Sequence, residues 1–557
     1  MERMRKKSLS LLGPLLILLT TAHVQAYSIF GDEVENFLKE RVTFGGFIEN
    51  ATGLAIGPDG DRRHFNTSNR LDMQRFTIQP EFNVNFAEEL KLFISWRFVK
   101  EPRYSAEAKS RQTCCASPLK GLDNTFYDED SFKPWEMVWD YKPIDRLTFR
   151  LGRQFISWGE TDGVRLLDVI NPQDLTFSPP AAPNLFNLDE TRIPMWGIRT
   201  LYTVRPVSNT ILEFFALPGF DEAKQRVDEI VAGSDLGPHR YGRWSAHPET
   251  RMPAVFGGIG RLFANPIGPV PVVIPSAARV LPDAGDNWKI GARITNNIGK
   301  LNFGLGHIWG YNPQSTDMVF KVKGRSCLPP ASGPLCRIGL AGPFLPTVVR
   351  IDLINDRTNI FAGHFNYAVD DLAGIPVNTA VRGEVAFYPD KPYNISKYPG
   401  PTGLKAGPHP KHPDGIAEKH TLRYSLGFDK SIFIPVLQDD PWRAFRMSFQ
   451  IFQSVILDHE DGIRFFSTAE KINKVSTTLT YRVSTGYLGD TILPDIFLGY
   501  DPEGYWVANP AVTYAPPWSE KITLSLIGAI YGGHNKFKSL GLFDEKDSVF
   551  LKLRYQF

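Results

Sequence analysis

Apolar and polar residues alternate one by one along most of this chain, and this alternation limits the folds open to it. Between residues 75 and 86 the apolar positions are Phe76, Ile78, Pro80, Phe82, Val84 and Phe86, with polar residues between them. A helix would space its apolar residues three and four apart, whereas a period of two gives a strand one wet and one dry face. The pattern returns near residues 91–98, 135–142, 288–294, 377–387, 422–429, 445–451 and 522–530, and it predicts an all-β chain.

After residue 26 the chain has no run of about 18 apolar residues, the length that marks a membrane helix. The mean hydropathy of -0.20 also excludes a bundle of membrane helices. If this chain crosses a bilayer, it must cross as strands, and these must close into a barrel so that every backbone group is paired. The 62 Lys and Arg nearly balance the 60 Asp and Glu, which argues against a nucleic-acid binder.

The N-terminus has the pattern of a secretory signal. Arg3, Arg5, Lys6 and Lys7 precede an apolar core from Leu9 to Leu19, and Val24-Gln25-Ala26 supplies small residues for cleavage. We therefore expect residues 1–26 to be a cleaved signal peptide and the mature chain to reach a Gram-negative outer membrane. Residues 27–40 predict a short amphipathic helix, which either plugs the barrel or merely caps its N-terminus.

A soluble sandwich would alternate in the same way, but three features favour a membrane barrel over residues 41–557. Many strands reach the 9–11 residues or so that a tilted crossing needs, and Trp and Tyr concentrate at strand ends. Short connections also alternate with long ones, which are expected near residues 101–133, 158–193, 218–285, 310–357 and 389–418. We predict a transmembrane antiparallel barrel of about 18 strands, with 16 as the alternative, short periplasmic turns and long outer loops.

The last strand ends on an aromatic residue. Apolar residues occupy Val549, Leu551, Leu553, Tyr555 and Phe557, alternating with other residues up to the terminus. This pattern resembles the C-terminal assembly signal of outer-membrane barrels, with Tyr555 and Phe557 as its aromatic residues. The resemblance implies the barrel assembly machinery as a partner, besides membrane lipid and lipopolysaccharide.

A motif of about 25 residues resembles a proteobacterial family of outer-membrane barrels of poorly defined function. It combines a Gly-Arg-Gln strand, Ser-Trp-Gly-Glu and Ile-Asn-Pro-x-Asp, here Gly152, Arg153, Gln154, Ser157, Trp158, Gly159, Glu160, Ile170, Asn171, Pro172 and Asp174. The chain is also distantly similar to alginate-export and porin-type barrels. Members of the family often occur with resistance-nodulation-division (RND) exporters and periplasmic lipid-binding proteins, so the resemblance implies such partners and hydrophobic cargo.

The loop from Gly159 to Asp189 is a candidate constriction. Gly159 and Gly163 permit a sharp bend, and Asn171-Pro172 supplies a second one. Its charged residues suit a loop that folds inward and pairs with wall arginines. We predict that Arg150, Arg153, Trp158, Glu160 and Asp162 line the pore or its constriction; the alternative is a loop that only stabilises the barrel.

Further candidates for the pore lining are arginines at inward positions, namely Arg199, Arg293, Arg382, Arg423, Arg446 and Arg482. Rings of charge set the ion preference of a pore, and this set favours anions. The alternative is that these residues pair with acids and only solvate a wide lumen.

The four cysteines predict no metal or haem site. Cys327 and Cys336 lie nine residues apart and predict a loop disulfide in an oxidising compartment, whereas the pairing of Cys114 and Cys115 stays open. Asp123 and Asp128 to Asp130 form a group that could bind calcium, but a solvated acidic loop is the stronger interpretation. No cofactor is expected.

These features predict an outer-membrane channel for passive or partner-gated passage of small or hydrophobic solutes. A barrel of 16 to 18 or so strands is too wide for side chains to fill. One alternative is an outer-membrane enzyme, but His307 and His364 lack an accompanying Gly-x-Ser-x-Gly element, so we expect no enzymatic activity. The other alternative is a structural sheath for a partner protein.

Overall fold

The computed structural model describes residues 39–56, 71–100, 134–172, 192–204, 209–218, 273–280, 287–311, 319–327, 347–354, 357–372, 375–395, 411–438, 440, 443–464, 471–535, 541 and 547–557. The predicted signal peptide lies outside this set, as does all of the predicted N-terminal helix except its last residues. Residues 39–41 form one helical turn before the first strand. No helix within the described ranges has the length and apolar character that a membrane span requires.

Strands make up nearly all of the described chain. In chain order they are β1 (Val42–Ala55), β2 (Leu71–Asn85), β3 (Leu90–Ser95), β4 (Phe98–Lys100), β5 (Glu136–Ile144), β6 (Leu147–Gln154), β7 (Met195–Val204), β8 (Thr210–Leu217), β9 (Val273–Val280), β10 (Lys289–Ile298), β11 (Leu301–Tyr311), β12 (Val319–Cys327), β13 (Thr347–Ile354), β14 (Arg357–Leu372), β15 (Ile375–Ile395), β16 (Ile416–Ile432), β17 (Phe445–Ile456), β18 (Ile463–Arg464), β19 (Val475–Ser484), β20 (Ile492–Asp501), β21 (Tyr505–Tyr514), β22 (Ile522–Gly533) and β23 (Ser548–Gln556).

Twenty of these strands form one sheet, which closes because β1 pairs with both β2 and β23. Successive strands are antiparallel neighbours. The three-residue β4 continues β3 beside β2, and the two-residue β18 pairs with the end of β15, so neither is a separate crossing. The prediction of an 18-strand antiparallel barrel is confirmed, and the alternative of 16 is wrong. Outside the barrel, β13 pairs with β12 and, in parallel, with β9 to form a small second sheet.

The alternation in the sequence gives the barrel an apolar outer face and an inner face that carries charged and polar side chains together with buried apolar ones. Large apolar side chains that are at least 36% exposed face outward, among them Phe76, Leu151, Trp196, Phe214, Ile294, Leu305, Phe361, Val385, Leu426, Leu526 and Leu551. Their neighbours in sequence face the lumen, where Glu213 and Glu384 are buried. A closed cylinder with an apolar outer face leaves no backbone group unpaired in lipid.

Tight hairpins gather at one end of the barrel, the short-turn end. Asp145–Arg146 joins β5 to β6, and Gly299–Lys300 joins β10 to β11. At the opposite end, the long-loop end, the predicted long loops lie mostly outside the described residues and stay predictions. The connection from β20 to β21 at that end is short. Gly504 turns the chain there with a φ of 119°, and the Glu503 amide donates to the Asp501 carboxylate at 2.7 Å.

The barrel closes where the two ends of the chain meet. Lys552 of β23 forms an ion pair with Glu49 of β1 at 3.1 Å on the lumen side. The Phe557 amide donates to the Gly46 carbonyl at 3.0 Å, and the Phe557 ring lies 5.2 Å from that of Phe44. The residues of the predicted assembly signal therefore complete the contact between the first and last strands.

Candidate functional site

Residues 155–172, the inward segment, leave the long-loop end of β6 and lie inside the barrel. Their contacts are with side chains that face the lumen: Glu213 on β8, Lys289 on β10 and Glu384 on β15. Residues 159–172 of the inward segment are the described part of the loop from Gly159 to Asp189 that we expected to constrict the pore.

Polar contacts hold the middle of the inward segment to β15 and β17. The Arg382 guanidinium lies 2.5 Å from the Asp162 carboxylate, and Gln450 donates to the same carboxylate at 3.0 Å. The Glu384 carboxylate accepts hydrogen bonds from the amides of Glu160 and Leu167, the latter at 3.2 Å. Both carboxylates are therefore used to fix the segment to the wall.

Asn171 closes the base of the inward segment. Its side-chain oxygen accepts from the Ile156 amide at 2.8 Å, and its Nδ2 donates to the carbonyls of Gln154 and Ile193. Asn171 is fully buried, so one side chain satisfies three backbone groups that would otherwise be unpaired. This role gives a physical reason for asparagine in the Ile-Asn-Pro part of the motif.

Arg165 and Asp168 form a buried ion pair within the inward segment, at 3.2 Å, and Arg192 adds a second contact to Asp168 at 2.6 Å. Burial lowers the pKa of the Arg165 guanidinium to about 10, while the charge of Asp168 acts in the opposite direction. Arg165 thus stays charged at neutral pH. Its carbonyl accepts from Arg423 of β16 at 3.2 Å, which places the predicted lining residue Arg423 against the segment.

An apolar core inside the lumen fixes the segment on its other side. From the segment it contains Ile156, Trp158, Leu166, Leu167, Val169 and Ile170; from the wall it contains Met195, Phe215, Leu217, Ile308, Ile360, Ala362, Ala386, Tyr388 and Phe452. Burial of this many large side chains contributes far more than the polar contacts, at roughly 1.5–3 kcal/mol for each Leu, Ile or Phe. The segment is a packed part of the barrel.

Glu213 joins this core to the charged wall. Its carboxylate accepts from Trp158 Nε1 at 3.1 Å and pairs with Arg199 at 2.7 Å and with Arg293 at 2.6 Å. The Arg293 guanidinium also lies 5.1 Å from the Trp158 ring centroid. The structure thus brings together three predicted lining residues, Trp158, Arg199 and Arg293, around one buried carboxylate.

The bend at Gly163 reaches the opposite wall. Its φ is 74°, and a β-carbon there would lie 2.6 Å from the ring of Phe497 on β20. Both the backbone conformation and the close approach require glycine. The inward segment therefore spans the lumen from β8 to β20.

The remaining predicted residues lie apart from the segment. Arg150 pairs with Asp140 at 2.8 Å. Arg153 donates to the carbonyls of Pro134 and Pro194 and lies 5.5 Å from the Trp135 ring, so its contacts tie the ends of neighbouring strands together. Arg482 pairs with Asp495 at 2.5 Å. The role of these residues in lining a pore stays a prediction.

A cavity of about 590 Å³ lies between the tip of the inward segment and the short-turn end. Asp162 lines it from the segment, and Asp429, Arg446 and Arg482 line it from β16, β17 and β19. Arg446 and Arg482, predicted separately from the sequence, therefore share one chamber.

Sequence reasoning missed the apolar core and the role of Glu384 as an anchor. A signal was present: Phe214-Phe215-Ala216-Leu217 in β8 is apolar on both strand faces, which indicates a packed inner face rather than a wet one. Glu384 had no such signal, because its partners lie more than 200 residues away in sequence.

The predicted disulfide is not resolved by the described residues. Cys327 ends β12, and Cys336, Cys114 and Cys115 lie outside them, as do Asp123 and Asp128 to Asp130. No group of metal-binding side chains occurs in the described part of the chain.

A family model described as "Protein of unknown function (DUF1302)" matches residues 9–557. The match does not test the motif at residues 152–174 or the likeness to alginate-export barrels. None of the curated proteins compared with the chain matches it.

Several solved structures are similar to the chain at low identity. A Salmonella typhi OmpF complex with daunomycin is 8% identical with a TM-score of 0.36, covering 93% of this chain and 97% of that chain. OpdK of Pseudomonas aeruginosa is 9% identical with a TM-score of 0.41, covering 93% and 99%. OccAB3 of Acinetobacter baumannii is 8% identical with a TM-score of 0.41, covering 93% and 99%. Similarity at this level carries no argument about function.

Proposed function

The chain belongs to the family described as "Protein of unknown function (DUF1302)", whose description assigns no activity, and we propose that it is a channel in a Gram-negative outer membrane. The solutes are small or hydrophobic, and their passage is passive or gated by a partner. The observation that carries the proposal is the combination of a closed 18-strand barrel with an apolar exterior and a charged lumen.

The exterior supports a membrane location. Exposed Leu, Ile, Val and Phe side chains on neighbouring strands would form a large apolar surface in water, which soluble monomers avoid. In a bilayer the same surface is favourable. Residues 1–26 are proposed as the cleaved export signal, with the short-turn end in the periplasm.

The width of the barrel supports a water-filled path. Barrels of about 16–18 strands leave an aqueous interior that side chains alone do not fill. The inward segment occupies part of this interior, and the 590 Å³ cavity beside Asp162 shows that space remains below it. We therefore assign the segment the role of a fixed constriction.

The partners implied by the family resemblance, an RND-type exporter or a periplasmic lipid-binding protein, are kept as part of the proposal. Lipid, lipopolysaccharide and the barrel assembly machinery follow from the proposed location.

Single-channel recording in planar bilayers tests the channel and its constriction. A variant with residues 159–189 replaced by a short Gly/Ser linker should still form the barrel, because every wall strand keeps its neighbours. Its conductance should rise, and its preference for anions should grow because Arg382 loses Asp162.

The matched control is Lys471→Gln, which alters an exposed ion pair with Asp461 away from the segment and should leave conductance unchanged. Absence of any conductance from the folded wild-type barrel would refute the channel. Equal conductance and selectivity in the linker variant would refute the constriction.

A further inference from the structure

Arg446 projects into the cavity at the short-turn end between two hydroxyl side chains. In the strand register it lies opposite Ser431 of β16 on one side and Ser484 of β19 on the other. All three residues line the 590 Å³ cavity, and Arg446 is exposed to it. A guanidinium flanked by two hydroxyls presents several hydrogen-bond donors towards one space.

The other inward charges around the cavity are already paired. Lys430 also borders the cavity, but it alternates in β16 with Asp429 and Ser431, which face the lumen, so its side chain belongs to the outer face. Arg382 is held by Asp162 at 2.5 Å and Asp429 at 2.8 Å, and Arg482 is held by Asp495. Asp370 pairs with Lys300. Across the ranges that the structure describes, no ion pair or hydrogen bond is found for Arg446. The cavity therefore has one inward positive charge whose counterion is not supplied by the described wall.

We propose that this cavity is a binding site for small organic carboxylates, with Arg446 as the residue that binds the carboxylate. The inference rests on the proposed channel function and gives it a solute class. A planar carboxylate matches the guanidinium through two parallel hydrogen bonds, and one unbalanced charge suits a monoanion. Ala368 and Ala380 line the same cavity and offer contact to the organic part.

The size of the cavity fits this class of ligand. Sites for small molecules have volumes of about 300–1,000 Å³, and the cavity of about 590 Å³ falls within this range. The site lies just inside the short-turn end and below Asp162, so a bound carboxylate occupies the path between the constriction and the mouth.

Block of the KCl current by benzoate tests the site in the full-length protein. Wild-type channels should show saturable block from the short-turn side. Arg446→Gln should raise the half-blocking concentration about tenfold or more, because a charge-assisted hydrogen bond is lost. Arg446→Lys should give a smaller loss, since lysine keeps the charge but not the planar pair of donors.

Arg443→Gln is the matched control. It removes the same charge at the same end, but Arg443 pairs with Asp440 at 3.3 Å and does not line the cavity. Its half-blocking concentration should equal that of the wild type. Equal block of wild type and Arg446→Gln would overturn the proposal, as would equal block by phosphate and benzoate, which would indicate a general anion effect.

Calorimetric titration of benzoate into the folded, detergent-solubilised barrel separates the two proposals. Suppose that benzoate binds to the wild type but not to Arg446→Gln, and that the wild-type barrel carries no KCl current. This outcome would support the site and refute the channel. Conductance without any benzoate binding would support the channel and refute the site.

Discussion

The Trp158 indole packs edge-on against the Phe215 ring, with the ring centroids 5.4 Å apart, in the apolar core inside the barrel. This contact joins the inward segment to β8. Both side chains are almost fully buried, so the segment is anchored by packing as firmly as a soluble core.

Trp158→Ala should destabilise the barrel by about 3–5 kcal/mol, because it leaves a cavity between the segment and β8 and frees a hydrogen bond to Glu213. Urea titration of the protein in lipid vesicles measures this change. Trp518→Ala is the control, because Trp518 lies in a turn and is 73% exposed. Similar losses for both variants would contradict the packed interior.

Glu213→Gln should cost about 3–5 kcal/mol, since it leaves the guanidinium groups of Arg199 and Arg293 without their carboxylate partner in a buried place. A double-mutant cycle with Arg199→Gln should show coupling between the two sites. The exposed pair of Asp370 and Lys300 is the comparison, and Asp370→Asn should cost less than about 1 kcal/mol. Additive effects of the two substitutions at Glu213 and Arg199 would disprove the coupling.

The facing of β22 predicts opposite outcomes at consecutive residues. Leu526 is 54% exposed on the outer face, so Leu526→Arg should destabilise the barrel by roughly 2–4 kcal/mol near the bilayer midplane. Ser525 faces the lumen, where its hydroxyl lies 2.8 Å from that of Thr513, and Ser525→Arg should be mild. Equal shifts in the unfolding midpoint would show that the assigned faces are wrong.

Deletion of Phe557 should lower the amount of folded barrel more than its burial alone explains. The deletion removes both the amide contact to Gly46 and the ring contact to Phe44 at the closure of the barrel. Heat-modifiable mobility of membrane fractions reports the folded amount. Phe557→Tyr keeps the aromatic ring and should assemble normally, whereas normal assembly of the deletion would argue against a terminal signal.

The wall of this barrel could be predicted from the sequence because its signal is local. Each strand has one face towards lipid, so residues such as Leu551 and Lys552 reveal their facing by alternation alone. The count of 18 strands followed from repeated hairpins.

The interior was only partly predictable, because its contacts join distant residues. The bend at Gly163 and the charged character of the segment could be read locally. Asp162 and Arg382, however, are 220 residues apart, and nothing in either neighbourhood specifies the other. The sequence left open whether the wall arginines line the pore or pair with acids. Five of them pair with acids in the structure, namely Arg150, Arg199, Arg293, Arg382 and Arg482. Arg446 differs from them, although its sequence context looks the same.

The ion pair between Glu49 and Lys552 favours one register between the two strands that close the barrel. Strands β1 and β23 come from opposite ends of the chain, and either could pair one residue out of step. Because side chains alternate, such a slip would turn Lys552 towards lipid and place Leu553 or Tyr555 opposite Glu49. A lysine on the lipid face costs roughly 2–4 kcal/mol at mid-depth, so a closure that is shifted by one residue is less stable than the observed one. An ion pair inside the barrel thus helps to specify which residues of the first and last strands pair with each other.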